Sequence, residues 1–308
     1  MTIIRGLSLT ALCMLLQATS TYAQTHGHTT TPPPDSTSVA DRFGVVVMAH
    51  GGPESWNVGV NNMLDPLKTR YDLELAFGMA DAYSIQEAVG RLEARGVTDI
   101  GVVRLFISGE SWLQRTQQIL GMVPGAPDRP MQAHSHTPDE SHGSHRMEFW
   151  QLDSRARFSV NLEGLSEAPE MNEVLLQRAQ ELSVDPANEN VLILAHGPGD
   201  DAENERWLKN INARAELLRE KGGFNTIKVA TLREDWPEKR EAAQADVREF
   251  VSNGSAAGRR VLVIPYRVYG FGPYAQVLDG LDYVADEKGL VPHPAVAHWI
   301  ERQISLLE

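Results

Sequence analysis

Twice in this chain an apolar, strand-length segment runs into Ala-His-Gly: GVVVMAHGG at residues 44–52 and VLILAHGPG at residues 191–199. A short unbroken apolar run that stops at glycine reads as a strand buried on both faces, as in a parallel sheet. Its recurrence in mid-chain predicts two related halves.

Two further pairs support that reading. LELAFGMAD matches IKVATLRED, and IGVVRLFISG matches VLVIPYRVYG. The separations are 146 (His50 to His196), 154 (Ala76 to Ala230) and 161 (Leu105 to Tyr266). A fourth pair, SEAPEMNEVLLQR and VPHPAVAHWIERQ, lies 125 apart (Pro169 to Pro294), because the first half carries extra sequence ahead of it.

Strands are expected at 43–49, 72–79 and 99–107, with a helix over 84–96 opened by a Ser84/Glu87 capping box and closed on Gly96. The second half repeats the order: strand from 191, helix 201–221, strand 226–232, helix 238–252, strand 259–268. The expected fold class is α/β, with two flavodoxin-like lobes, each a parallel sheet with helices on both faces. The lobes are residues 42–186, with an insertion at about 121–150, and residues 187–308, related by a pseudo-twofold axis.

The amino-terminal residues read differently. Arg5, the apolar run 7–16 and Thr21-Tyr22-Ala23 follow the order of a secretory signal peptide cut after Ala23. The run is well short of the roughly 20 residues a spanning helix needs. The expectation is therefore export to the periplasm, without stable membrane insertion after cleavage. Residues 24–41, rich in Thr, Pro and Ser, read as a flexible linker. The single cysteine, Cys13, lies in the signal, so any soft-metal chemistry of the mature chain falls to His or Met. A net charge of −13 over 308 residues argues against nucleic acid as a partner.

In an open parallel sheet, ligands bind outside the carboxyl ends of the strands. His50 and His196 both stand at such an end, so each half aims an imidazole at a common crevice. A histidine bonded into its own turn is the alternative at either position.

The strand ending in Ala-His-Gly, the LELAF strand and its capped helix, the VVRLF strand and the HPAVAHWI helix together resemble the sirohydrochlorin cobaltochelatase and ferrochelatase family, the class II chelatases. The resemblance covers nearly all of residues 42–308, as two fused chelatase-like units. It implies insertion of a divalent metal, Co²⁺, Fe²⁺ or Ni²⁺, into a tetrapyrrole held between two lobes. Two pyrrole protons leave as the metal enters, so an imidazole that accepts a proton and ligates a borderline metal suits the task.

His50 matches the family's first-strand active-site histidine, and His196 is its copy. The expectation is that His50 does the proton and metal chemistry while His196 helps bind. The family's further histidine after the third strand is missing from both RLFISGESWLQR and IPYRVYGFGPYAQ. Glu110 is the candidate replacement, as a proton acceptor beside His50 or as an oxygen ligand. Trp112, Tyr269, Phe271 and Tyr274 are candidates to stack on the macrocycle, or to pack at a lobe interface. Arg104 and Arg267, with Arg115 nearby, are candidates to hold substrate carboxylates, or to pair with Asp and Glu.

The insertion contains HSHTPDESHGSH, where His134, His136, His142 and His145 can gather metal with low selectivity, as can His26 and His28. The alternative function is a non-catalytic metal-binding or tetrapyrrole-binding protein, haem included, on the same scaffold. A phosphate-binding flavodoxin-like protein ranks third, since no phosphate-loop glycine pattern follows either strand.

Overall fold

The sheet register carries the two-half pattern into three dimensions. A computed structural model describes residues 41–130, 147–286 and 288–308. Residues Asp41–Glu308 form one compact unit. The expected signal peptide, the linker and the four histidines of the insertion lie outside the described residues.

The first sheet is built from β1 (Phe43–Ala49), β2 (Leu73–Phe77), β3 (Asp99–Leu105) and β4 (Arg157–Val160), with α1 (Glu54–Lys68), α2 (Ala82–Ala94), α3 (Leu113–Ile119) and α4 (Met171–Leu182) between or after them. The second uses β5 (Glu189–Ala195), β6 (Thr226–Thr231) and β7 (Arg260–Tyr266), with α5 (Asp201–Arg214), α6 (Glu216–Lys221), α7 (Pro237–Ala256), α8 (Tyr274–Val277) and α9 (Pro294–Leu307). Both sheets are parallel, in the orders β2-β1-β3-β4 and β6-β5-β7.

Val45 pairs with Leu73 and Gly101, while Val191 pairs with Ile227 and Leu262, which reproduces the separations of 146, 154 and 161. Ser159 of β4 pairs with Gly101, and its counterpart is a single bridge between Leu262 and Val284, at the separation of 125. The fourth strand thus survives as one bridge in the second half.

Alternate residues of each strand face different cores, as a strand buried on both sides requires. Val45, Val47, Val191 and Ile193 point into a central core shared by both sheets. Val46 and Met48 pack outward against Ile85, Val89 and Leu92 of α2; Leu192 and Leu194 pack outward against Val247 and Val251 of α7.

The last helix of each half crosses to the other sheet. Leu307 of α9 approaches the first sheet, where its carbonyl accepts from Ser159 Oγ at 3.2 Å. The indole of Trp299 donates to Glu163 at 2.8 Å, and Arg302 forks onto Glu163 and Glu170. In the other direction, the Arg178 guanidinium of α4 donates to the carbonyls of Gly289 (3.1 Å) and Pro292 (2.7 Å).

Two helix boundaries differ from expectation. Asp81, not Ser84, caps α2, its carboxylate accepting from Ser84 N at 2.8 Å. The helix expected over 201–221 breaks at Ala215 into α5 and α6. Among the described residues no helix is long and apolar enough to cross a membrane.

Candidate functional site

Strand order reverses beside β1 and β5, so each sheet opens a crevice at the carboxyl ends of those strands. The two crevices merge into one cleft of about 630 Å³, lined by both His50 and His196.

Glycine follows each histidine for a steric reason. Gly51 and Gly197 have φ of 77° and 76°, the left-handed region. A Cβ at Gly51 would lie 3.2 Å from Cβ of Phe77, and one at Gly197 would lie 2.7 Å from Cβ of Thr231, the aligned position. The turn brings the glycine carbonyl back to the imidazole, so Nδ1 donates at 2.7 Å in both halves. That bond places the remaining lone pair of each neutral ring on Nε2. Both readings of the repeated motif therefore hold: each histidine is bonded into its turn, and each also lines the cleft.

The acidic neighbour sits elsewhere than expected. Asp235 Oδ2 lies 3.0 Å from His196 Nε2, and Glu234 Oε2 lies 4.0 Å from it. Asp235 aligns with Asp81, at the separation of 154. In the first half the left-handed residue is Ala80 and Asp81 caps α2; in the second it is Arg233, one aligned position earlier. Trp236 becomes the N-cap of α7, and Asp235 stands one residue ahead of that cap.

Glu110, expected as the proton acceptor beside His50, has both carboxylate oxygens held by Arg206 of α5, at 2.6 and 2.7 Å. That fork keeps its carboxyl below the usual range, making it a poor base. Glu203 lines the same cleft, and burial raises its carboxyl.

The arginines divide. Arg104 is buried and donates to the carbonyls of Asn161, Gly109 and Ser111, so it braces the β3 turn instead of facing substrate; burial pushes its guanidinium down to about 10. Arg115 likewise donates to the carbonyls of Ala80, Met147 and Glu148. Arg267 does line the cleft, paired with Glu234.

Of the aromatic candidates, Trp112 and Tyr269 line the cleft, whereas Phe271 and Tyr274 belong to the outer core of the second sheet. Tyr269 reaches across to the first half, where a Cβ at Gly59 of α1 would come within 2.3 Å of its ring. It also meets Trp56 edge to face, with centroids 6.2 Å apart. Sequence reasoning passed over Trp56, Trp207 and Trp236, which line the cleft as well. Among the described residues no three His, Cys, Asp or Glu side chains form a ready-made metal site. The four insertion histidines are outside that description.

Two parallel sheets facing one cleft, with terminal helices exchanged, define a chelatase-like fold. No protein-family model and no curated protein matches the chain. Among solved structures, SirB from Bacillus subtilis with Fe³⁺ is similar over 86% of this chain and 94% of its own, with TM-score 0.56 and 14% identity. The sirohydrochlorin chelatase SirB from Bacillus subtilis subspecies spizizenii, in complex with cobalt, has the same coverage, TM-score 0.53 and 13% identity. A multi-domain protein of Deinococcus radiodurans, described as similar to chelatases with two additional domains, matches with TM-score 0.53 and 18% identity. This chain is covered over 86% and spans 55% of that one. A single SirB chain thus corresponds to both halves together.

Proposed function

We propose that this protein is a metal chelatase that inserts a divalent metal, Co²⁺ or Fe²⁺ with Ni²⁺ as a further candidate, into a tetrapyrrole. The observation that carries the reading is the convergence of His50 and His196 on one aromatic-lined cleft. The paired His196 and Asp235 take up pyrrole protons through the Asp235 carboxylate, and His50 presents its Nε2 to the metal. Arg267, Trp112 and Tyr269 contact the macrocycle.

The two halves are read as diverged copies of one unit. His134, His136, His142 and His145 are proposed to raise the local metal supply. Export to the periplasm after cleavage at Ala23 completes the reading; a mature chain beginning at Gln24 in an envelope fraction supports it, and a cytoplasmic protein retaining Met1 contradicts it.

The test is incubation of the full chain with a metal-free tetrapyrrole and Co²⁺ or Fe²⁺, following the absorption spectrum against a no-protein control. Sirohydrochlorin, the substrate named for SirB, and a ring with few carboxylates are the macrocycles to compare. Spectral conversion faster than the control supports the proposal. Tight binding without conversion favours the second reading, a tetrapyrrole-binding or haem-binding protein, which the same aromatic lining also suits.

A further inference from the structure

The charges and aromatic faces of the cleft bear on which macrocycle it takes. Four of the six tryptophans of the chain, Trp56, Trp112, Trp207 and Trp236, line it. Trp236 is seated directly over backbone, since a Cβ at Gly199 would fall 2.2 Å from its indole. Broad, weakly polar faces of this kind hold a flat conjugated ring by stacking and by exclusion of water.

The ionic lining has the opposite sign from the one a polycarboxylate needs. Asp200, Glu203 and Asp235 face the cleft together with Glu110, whose charge Arg206 already matches. Among the described residues lining the cleft, Arg267 is the one basic side chain other than histidine, and it is paired with Glu234. Nearby guanidinium groups are spent on backbone. Arg104 is buried against carbonyls, and Arg233 donates to the carbonyls of Pro198 and Gly199 and to Asp201. A ring rich in carboxylates would bring its charges against fixed carboxylates, and the one guanidinium among the described lining residues is already paired. A divalent cation meets the reverse situation.

We infer that the cleft selects a flat macrocycle with few carboxylates, held by indole faces, and disfavours polycarboxylate rings while drawing in the metal cation. The inference rests on the chelatase reading for the place of the site, but its readout is binding and does not require turnover.

The experiment titrates the full chain with two metal-free porphyrins of the same ring, protoporphyrin with two carboxylates and the polycarboxylate uroporphyrin. Quenching of tryptophan fluorescence is followed at low and at high salt. The dicarboxylate ring should bind at least about tenfold tighter at low salt. The gap should narrow as salt screens the repulsion. Asp200→Asn combined with Glu203→Gln should narrow it at low salt too, and Trp112→Ala with Trp236→Ala should weaken the dicarboxylate ring.

Equal or tighter binding of the polycarboxylate ring overturns the inference and leaves the chelatase reading standing, as does dicarboxylate binding indifferent to both tryptophan substitutions. The expected preference without metal insertion into any ring supports the inference and counts against the chelatase reading. Failure of both rings to bind overturns the inference, and the insertion assay then decides the chelatase reading separately.

Discussion

His196 Nε2 lies 3.0 Å from Asp235 Oδ2, while its Nδ1 lies 2.7 Å from the carbonyl oxygen of Gly197. A carbonyl and a carboxylate both accept, so the two contacts are satisfied together when the ring carries both protons. A pyrrole proton taken up by the Asp235 carboxylate can therefore be held between Oδ2 and Nε2. Asp235→Asn should lower the maximal insertion rate on the order of 10²-fold and leave the KM for metal nearly constant. Asp235 is exposed, so thermal stability should hardly move. A raised KM with kcat retained would assign Asp235 to binding instead.

Glu110 and Arg206 form the corresponding test in the other half. Both side chains are half-exposed, so Arg206→Ala should hardly move the denaturation midpoint. Because Arg206 depresses the Glu110 carboxyl, the pair's contribution is complete above the ordinary carboxyl value and is lost as pH falls through the lower folded value. Glu110→Gln should keep most of kcat. Loss of insertion comparable with Asp235→Asn would restore Glu110 as the proton acceptor.

The architecture was largely legible because strand register preserves sequence separations. The intervals between the Ala-His-Gly, LELAF and VVRLF segments and their copies reappear as paired residues in the sheets. Helix exchange was not legible: the apolar face of the HPAVAHWI helix says that it packs, not on which sheet. The Asp81/Asp235 match was present in the aligned segments, but a one-position shift of the left-handed residue decides which aspartate caps a helix and which meets a histidine. Arg104 misled for a related reason. Its place near a strand end fits substrate binding and carbonyl bracing equally, and burial separates the two.

His293 couples acidity to the junction of the two halves. Its Nδ1 accepts from Ala295 N at 3.1 Å as the cap of α9, and its Nε2 then donates to Gln177 of α4 at 2.8 Å. This arrangement needs the neutral ring. Burial, and then the Arg178 charge, hold its pKa below the ordinary 6.5. The unfolded chain therefore binds the proton first as pH falls, and the contribution, full above 6.5, is lost as pH drops through the folded value. His293→Ala should cost about 1 kcal/mol at neutral pH. Urea denaturation should show the gap to wild type shrinking as pH falls below 6.5, and a gap independent of pH would contradict this account.

Trp299 anchors the exchanged helix. Its indole is fully buried in the shared core and donates to Glu163. Trp299→Ala should destabilise the chain by about 3–5 kcal/mol, read from the denaturation midpoint. A loss below about 1 kcal/mol would mean that α9 is dispensable for joining the sheets.

The central claim is that two imidazoles, one from each half, act together on a metal and a tetrapyrrole in one cleft. It is tested most directly by initial rates of metal insertion, followed by absorption, for His50→Ala, His196→Ala and the double variant. Folding of each is verified by circular dichroism. Each single variant should lose at least about 10²-fold in kcat at saturating metal, and the double should fall little further, because the residues act as a unit. Either single variant turning over at the wild-type rate would contradict the account.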